Sequence, residues 1–317
     1  MKPFIVVADG FDATLFNQLK TSPELDVHPV SKVSKDELYQ MLPKINGLII
    51  RSATVVNAEL LNLATNLKLV IRAGEGTDNI DKVLCREKNV IVENTPGANN
   101  NSAAEHAVAL MLSALRNIPL ANSTMHQGIW EKNALTGLEL WKKKVGIVGF
   151  GRIGQIVAKR ISGFEPDVTF FDPMILEKEI SGAKKVESLE TIFSECDIIT
   201  IHTPLLPQTK NMIDRKLLGM MKKDSILINA ARGGIVDEEA LYDTLKEKKI
   251  RAAAFDVFSE EPLPANSKLA TLSNLIMSPH IGASTEEAQF RVGEMAVAQV
   301  RDFFIAQKIV NQVQAKI

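Results

Sequence analysis

Three residues with anion-binding or acid–base side chains follow apolar runs in the C-terminal half of the sequence. Arg232 lies in NAARGGIVDE, Glu261 in FDVFSEEP and His280 in SPHIGAST. An arginine can bind a carboxylate through two parallel hydrogen bonds, and a histidine is suited to moving an alcohol proton near neutral pH. A carboxylate beside the histidine would stabilise its protonated form. Together they predict a catalytic set, although each alone could be a surface arginine, a solvated acidic loop or a structural histidine.

A glycine-rich segment gives the strongest local pattern in the chain. Gly149, Gly151 and Gly154 fit G-x-G-x-x-G within 145–161, where a strand pattern ends and an amphipathic helix begins. The first glycine permits a tight turn, the second lets the backbone approach a pyrophosphate, and the third lets helix and strand pack closely. The segment predicts a dinucleotide site at a helix N-terminus; the alternative is a plain strand–turn–helix without a ligand.

An acidic residue stands where this motif expects one. Asp172 follows an apolar run at 168–171, about 20 residues after the glycine turn. A carboxylate here accepts hydrogen bonds from both ribose hydroxyls and repels a 2′-phosphate, and neither Pro173 nor Met174 offers a cation. The pattern predicts NAD rather than NADP; the alternative is a turn residue at a strand end.

Short apolar runs alternate with longer amphipathic segments along the whole chain, and this alternation must position the residues above. It is typical of β-α-β units, which form parallel sheets. The runs fall into two series, at 4–8, 47–50, 69–71 and 90–92, and at 145–148, 168–171, 198–201, 225–228, 252–255 and 275–277. We therefore expect an α/β fold with two Rossmann-like, doubly wound parallel-sheet domains and a cleft between them. The candidate residues would lie at the C-terminal ends of strands, where open α/β sheets bind ligands.

Two longer helical patterns mark the crossings between these domains. One helix is predicted over 102–126, with Ser102 as its N-cap and Glu105 three residues on. A second is predicted from 286 to about 304. Because no strand pattern follows it, this helix is expected to pack back on the first domain.

The domain prediction follows from these two crossings. Residues 1–98 and 286–317 form one discontinuous, substrate-binding domain, and 99–285 form the NAD-binding domain. Hinges near 96–101 and 278–286 would let the domains close on their ligands.

Composition and charge restrict the function classes. Of 317 residues, 45% are hydrophobic and 24% charged, and 37 basic against 38 acidic side chains leave a net charge of −1. No basic excess favours nucleic acid, and no apolar run approaches the roughly 20 residues of a membrane span. Cys85 and Cys196 lie in apolar contexts that suit reduced, buried thiols. We expect a cytoplasmic protein without a metal, a membrane or a nucleic-acid partner.

The motifs together resemble the D-2-hydroxyacid dehydrogenases in order and spacing over essentially the whole chain. The resemblance implies that Arg232 binds the substrate carboxylate, and that Glu261 and His280 relay a proton while a hydride passes to the nicotinamide. It also implies a homodimer built around the 102–126 helix. Further contacts to NAD are implied at Arg152, Ile153, Thr203, Ala230 and Asp256.

The N-terminal motifs LIIRSATVV (48–56), VIRAGEGTDNID (70–81) and ENTPGANNNSAAEHAVALML (93–112) most resemble the phosphoglycerate dehydrogenase subgroup. That resemblance implies oxidation of 3-phospho-D-glycerate to 3-phosphohydroxypyruvate, a step of serine biosynthesis. Arginine, hydroxyl and loop backbone N–H groups suit an anionic 2-hydroxy or 2-oxo acid. The predicted substrate residues are Arg51, Ser52, Gly74, Glu75, Gly76 and Lys132.

Two alternatives stay open. The loop has a carboxylate at Glu75, where the family often has a small apolar or hydroxyl residue, and the segment 130–140 keeps only Lys132 as a cation. The carboxylate is awkward beside an anionic substrate unless it points to solvent. The scarcity of cations weakens the case for a phosphate-binding site, so the first alternative is a hydroxypyruvate or glyoxylate reductase of the same family. The other alternative is a non-catalytic, NAD-gated protein like the dehydrogenase-related corepressors. Two domains of ordinary size fill 317 residues, so no serine-binding regulatory domain, and no serine inhibition, is expected.

Overall fold

A computed structural model describes residues 1–28 and 33–314. The chain divides into two units, Met1–Asn99 with Ser284–Ile317, and Asn100–Ala283. The sequence places the two boundaries after residues 98 and 285. The last three residues of the predicted segment 286–317 lie outside the described residues.

The first unit is a parallel sheet of five strands in the order β2-β1-β3-β4-β5. Its strands are β1 (Phe4–Val7), β2 (Asp26–His28), β3 (Gly47–Ile50), β4 (Leu69–Arg72) and β5 (Ile91–Asn94). Its helices are α1 (Ala13–Lys20), α2 (Lys35–Met41), α3 (Ala58–Leu63), α4 (Lys82–Glu87) and α11 (Glu286–Phe304). Apolar side chains of α1 and α11 cover one face of the sheet and those of α2, α3 and α4 the other. Such cover on both faces explains why the inner strands β1 and β3 are apolar throughout rather than alternating.

The second unit is an eight-stranded sheet in the order β13-β12-β11-β10-β6-β7-β9-β8. Its strands are β6 (Lys144–Val148), β7 (Asp167–Phe171), β8 (Glu179–Ile180), β9 (Ala183–Lys185), β10 (Ile198–Ile201), β11 (Ile226–Asn229), β12 (Ala252–Phe255) and β13 (Leu275–Met277). Its helices are α5 (Asn100–Arg116), α6 (Ile118–His126), α7 (Arg152–Ile161), α8 (Leu189–Glu195), α9 (Arg215–Met220) and α10 (Glu238–Lys246). All pairings are parallel except that of β8 with β9. Helices α5 and α7 cover one face, and α8, α9 and α10 the other. The two doubly wound parallel sheets expected from the sequence are therefore confirmed.

The single helix predicted over 102–126 is wrong. The structure has two helices, and Asn117 between them adopts a left-handed conformation with φ +53°. Pro119 lies in the first turn of α6, and in a continuous helix its ring would clash with a carbonyl one turn earlier. The first helix also begins at Asn100, so Ser102 lies inside its first turn rather than at its cap.

Three short strands escape the sequence prediction. Strand β2 has the sequence DVH, and the edge hairpin of β8 and β9 consists of two- and three-residue strands that carry Glu179, Lys184 and Lys185. None contains an apolar run, because edge strands of this length contribute little to the core. The second unit thus has eight strands, where the sequence indicates six.

Two other predictions concern burial. Both Cys85 and Cys196 are free thiols with buried side chains. Within residues 1–28 and 33–314, every helix is too short or too polar to reach across a lipid bilayer.

Candidate active site

Six parallel strands of the second unit have their C-terminal ends in register, so these ends form one side of the sheet. The residues aligned across this side are Phe171, Val148, Ile201, Asn229, Phe255 and Met277. The predicted cofactor and catalytic residues lie within six residues after these positions in the chain. Because the loops after parallel strands all lie at the C-terminal ends of those strands, loops that are far apart in sequence come close together.

The glycine turn has the conformation that its sequence predicts. Gly149 has φ +86°, and a side chain there would lie 2.7 Å from the carbonyl oxygen of His202. A side chain at Gly154 would collide with the carbonyl oxygen of Gly149. At Gly151, in contrast, a side chain would meet nothing of the chain within 4 Å, and φ is −70°. The space in front of Gly151 is therefore open to a ligand.

The N-terminus of α7 lacks a side-chain cap. Its N-cap is Gly151, which offers no acceptor to the first backbone N–H groups of the helix. Eight other helices of the described residues carry an Asp, Asn, Ser or Thr whose side chain accepts such an N–H group. These α7 donors, together with the helix dipole, suit a bound pyrophosphate.

Asp172 lies beside this turn. One oxygen accepts the backbone N–H of Phe150 at 2.8 Å, and the other accepts that of Met174 at 2.9 Å. The carboxylate thus braces the glycine turn against the end of β7. Each carboxylate oxygen has a further lone pair for a ribose hydroxyl.

The other predicted cofactor residues differ in what they present. The Thr203 hydroxyl oxygen is buried and has no hydrogen-bond partner among the described residues, as expected of a group that awaits a ligand. Arg152 is exposed in the first turn of α7, while Ile153 and Ala230 are half-buried. Their contacts to NAD stay predictions.

His280 and Glu261 form a close pair. His280 Nδ1 lies 2.6 Å from Glu261 Oε2, and the two side chains are 43% and 36% exposed. Burial raises the pKa of Glu261, but the hydrogen bonds from His280 and from the backbone N–H of Phe258 lower it by more, so the net pKa is below its ordinary value. Glu261 is therefore ionised near neutral pH and fixes the tautomer with hydrogen on Nδ1. The Nε2 atom of His280 is left as a base.

Arg232 lies on a turn whose shape is set by a buried asparagine. Asn229, the last residue of β11, donates from Nδ2 to the carbonyl of Arg232 at 3.0 Å and accepts the N–H of Ala231 at 3.1 Å. A side chain at Gly233 would collide with the Phe258 carbonyl. The turn thus packs against the loop that carries Glu261.

Asp256 is almost completely buried, with 1% of its side chain exposed. Its oxygens accept the Ser278 hydroxyl at 2.6 Å and the backbone N–H groups of Ile281 and Gly282 at 2.9 and 2.8 Å. Sequence reasoning assigns Asp256 to the cofactor; the structure adds that it ties down the loop carrying His280.

Arg51 and Ser52 follow β3 in the first unit. Asp9 holds this turn, accepting the N–H of Arg51 at 2.6 Å and the hydroxyl of Thr54 at 2.6 Å. Arg51 is half-buried and lines a cavity of about 950 Å³, whose wall also includes Asp9 and Arg291. Ser52 is exposed.

The Gly74–Gly76 loop shows what Glu75 does. The Glu75 carboxylate accepts the backbone N–H of Gly97 at 2.7 Å, and its carbonyl accepts Asn94 Nδ2 at 2.7 Å. The carboxylate is thus directed to the turn after β5, which resolves how an acidic residue fits in a loop expected to bind an anion. Lys132 lies in an exposed loop between α6 and β6.

Comparison with known proteins identifies the family. Residues 108–282 match the family model described as D-isomer specific 2-hydroxyacid dehydrogenase, NAD binding domain. The chain belongs to this family.

Relatives within the D-2-hydroxyacid dehydrogenases carry different names. The chain is 41% identical to the D-3-phosphoglycerate dehydrogenase of Methanocaldococcus jannaschii over 97% of its own length and 59% of that protein. It is 42% identical to the hydroxypyruvate reductase of Thermotoga maritima, over 93% and 96% of the two chains. The NAD-dependent formate dehydrogenase of Staphylococcus aureus in complex with NAD is similar in structure, with a TM-score of 0.87, 31% identity and 99% of each chain covered. The chain thus spans about three-fifths of the first of these relatives.

Two residues that shape the loops of this family member, Asn229 and Arg72, were not singled out from the sequence. Asn229 is one, because its role depends on a turn that the pattern NAARGG does not reveal. Arg72 is the other: its guanidinium occupies the space where a side chain at Gly74 would lie, and its Nη1 donates to the Ala73 carbonyl at 3.1 Å. An arginine directly before a glycine loop was the available signal.

Proposed function

We propose that the chain is an NAD-dependent dehydrogenase that oxidises 3-phospho-D-glycerate to 3-phosphohydroxypyruvate. The observation that carries the proposal is the 2.6 Å pair of His280 and Glu261. This pair follows the C-terminal ends of the same parallel strands as the loop of Arg232 and the glycine turn. The relatives named phosphoglycerate dehydrogenase support the choice of substrate.

The cofactor follows from the fit of the glycine turn. The open space at Gly151, the uncapped N-terminus of α7 and the waiting hydroxyl of Thr203 suit a dinucleotide. The Asp172 carboxylate favours NAD, because it would repel the 2′-phosphate of NADP. When bound, the nicotinamide accepts a hydride from the substrate.

The residues of the chain perform the remaining steps. Arg232 binds the substrate carboxylate through its guanidinium. Nε2 of His280 takes the proton of the C2 hydroxyl as the C2–H bond breaks with its electron pair, which leaves a C2 carbonyl. Glu261 stabilises the imidazolium so formed. One hydride and one proton leave the hydroxy acid, so the products are the 2-oxo acid, NADH and a protonated His280.

A second candidate function is reduction of hydroxypyruvate or glyoxylate. Lys132 is the only cation of the segment 130–140 and is exposed. The identity to the Thermotoga reductase, 42%, is as high as that to the phosphoglycerate dehydrogenases, 41% and 42%. Hydroxypyruvate and glyoxylate carry no phosphate, so this function needs no cationic site for a phosphate group.

A substrate panel separates the two functions. The absorbance of NADH is followed with 3-phosphoglycerate, glycerate, hydroxypyruvate and glyoxylate, for the wild-type protein and Arg232→Ala. We expect the highest kcat/KM with the phosphorylated pair and loss of turnover in the variant. Turnover of glyoxylate with none of phosphohydroxypyruvate would establish the reductase instead. Absence of turnover with every acid would leave the non-catalytic function.

We also propose a homodimer. Helix α6 and the loop after it expose the large apolar side chains of Ile118, Leu120, Met125 and Trp130, more than an isolated helix surface needs. Sedimentation equilibrium should give twice the 34.8 kDa of one chain. A monomer mass at micromolar concentration would refute this proposal.

A further inference from the structure

The backbone of His280 is in a conformation that needs support. Its φ is +53°, in the left-handed region that residues other than glycine rarely adopt. Such a conformation persists only when surrounding contacts hold it. The N–H of His280 donates to the carbonyl of Asp256 at 2.8 Å and to that of Ser278 at 3.1 Å, and the Asp256 carboxylate accepts the next two N–H groups, of Ile281 and Gly282.

His106, on α5, reaches this carboxylate from another element. Its Nε2 lies 3.2 Å from Asp256 Oδ1 and 3.0 Å from the hydroxyl oxygen of Ser278, and 18% of its side chain is exposed. The helix packs closely here, since a side chain at Gly282 would lie 3.7 Å from the His106 ring. His106 was not singled out from the sequence, and the proposed reaction does not use it.

A count of hydrogens fixes the direction of these bonds. Ser278 has one hydroxyl hydrogen, and at 2.6 Å from Asp256 Oδ1 it donates to that carboxylate. The hydroxyl oxygen can then only accept from His106. The Nε2 of His106 therefore carries a hydrogen, which it shares between Ser278 and Asp256.

This hydrogen-bond network stabilises the ionised carboxylate of the buried Asp256. Burial raises the pKa of Asp256, but the hydrogen bonds from His106, Ser278 and two backbone N–H groups lower it by more. An ionised Asp256 accepts from both backbone N–H groups that follow His280, and charge-assisted bonds of this kind are stronger than neutral ones.

We infer that His106 is a positioning residue for the reaction proposed above. It acts through Asp256 and Ser278, and what it holds in place is the left-handed backbone of His280. The inference rests on the proposed function for the identity of the reaction, but the contacts stand without it. Loss of His106 loosens the loop, and with it the alignment of His280 on Glu261.

The test compares His106→Leu, which removes the donor, with His106→Gln, whose amide nitrogen can donate from a similar position. His28→Leu, on the edge strand β2 of the first unit, where 45% of the histidine side chain is exposed, is the control. With kcat expressed per NADH-binding site, we expect His106→Leu to lower kcat by about 2- to 10-fold, as for loss of one hydrogen bond. KM for the hydroxy acid should change less than kcat. His106→Gln should restore most of kcat, and His28→Leu should match wild type.

A second measurement needs neither cofactor nor turnover. Ring nitrogen NMR shifts of His280, assigned with His280→Gln, report its tautomer in the free protein. Wild type should hold the hydrogen on Nδ1, and His106→Leu should show a mixture. Unchanged kcat and an unchanged tautomer in His106→Leu would overturn the inference, as would a loss that His106→Gln fails to restore. If wild type oxidises no hydroxy acid, the proposed function fails, while the tautomer still decides the role of His106.

Discussion

Replacing Gly151 by alanine should separate cofactor binding from folding. The backbone angles of Gly151 are open to any residue, and an added methyl group would meet nothing of the chain within 4 Å. Loss of a glycine N-cap costs about 0.5–1 kcal/mol, and the smaller entropy of the unfolded alanine chain returns about 0.4–1 kcal/mol. The two effects cancel, so the melting temperature should move by no more than about 2 °C.

The same methyl group occupies the space that a pyrophosphate would need. Forcing one extra methyl group into a packed contact costs about 1–3 kcal/mol, which corresponds to an NAD affinity roughly 5- to 150-fold weaker. Two other glycines provide matched comparisons. Gly154→Ala places its methyl group against the Gly149 carbonyl and should destabilise the fold, whereas Gly163→Ala, beyond the far end of α7 and free of contacts within 4 Å, should change neither property.

The assay is an NADH titration followed by fluorescence, paired with melting curves in the presence and absence of NAD. Wild type and Gly163→Ala should gain stability with NAD, and Gly151→Ala should lose most of that gain. Wild-type NAD affinity in a normally folded Gly151→Ala variant would refute the assignment of this turn to the pyrophosphate.

Three further predictions concern ionisable groups. Because the pKa of Glu261 is lowered from 4.5, its contribution to stability is present above that pH and is lost as the pH falls through the folded-state value. Glu261→Gln should therefore remove the loss of stability at acid pH in melting curves, and it should lower kcat/KM about tenfold because a neutral acceptor replaces a charged one. An unchanged kcat/KM would contradict the proton relay. Burial raises the pKa of Glu93 more than the hydrogen bond from the Val310 N–H lowers it, so the contribution of Glu93 to stability is lost as the pH rises through the folded-state value. Glu93→Gln should raise the free energy of unfolding at neutral pH by about 1 kcal/mol. A less stable variant in a denaturant titration would show this prediction to be wrong. Burial raises the pKa of Cys85 to about 11 and also raises that of Cys196. Neither thiol should therefore react with Ellman's reagent until the protein unfolds. Rapid reaction of either thiol in the native protein would contradict this prediction.

The sequence allowed the central strands and the glycine turn to be predicted because both are local patterns. Strands β10, β12 and β13 have the bounds of their apolar runs. The turn needs only three glycines at fixed spacing. Short polar strands at the sheet edges carry no such signal, and the break at Asn117 depends on one left-handed residue before a proline-containing turn.

The candidate site was predictable only where a residue touches the ligand. Arg232, Glu261 and His280 stand in recognisable segments, and the structure brings the last two within 2.6 Å. The residues that hold them were missed, because His106 lies 172 positions before its partner Ser278, and no local pattern links residues so far apart. Asn229 was missed although it is close in sequence, because its two hydrogen bonds depend on the shape of the turn.

Direct transfer of hydrogen from the substrate to the cofactor tests the central claim. The protein is mixed with NAD and D-3-phosphoglycerate carrying deuterium at C2, with deuterated D-glycerate in parallel, and the NADH is analysed by mass spectrometry. The account predicts NADH that has gained one deuterium, with no NADH from the Arg232→Ala variant or from the L enantiomers. Unlabelled NADH, or none from either D acid, would contradict it.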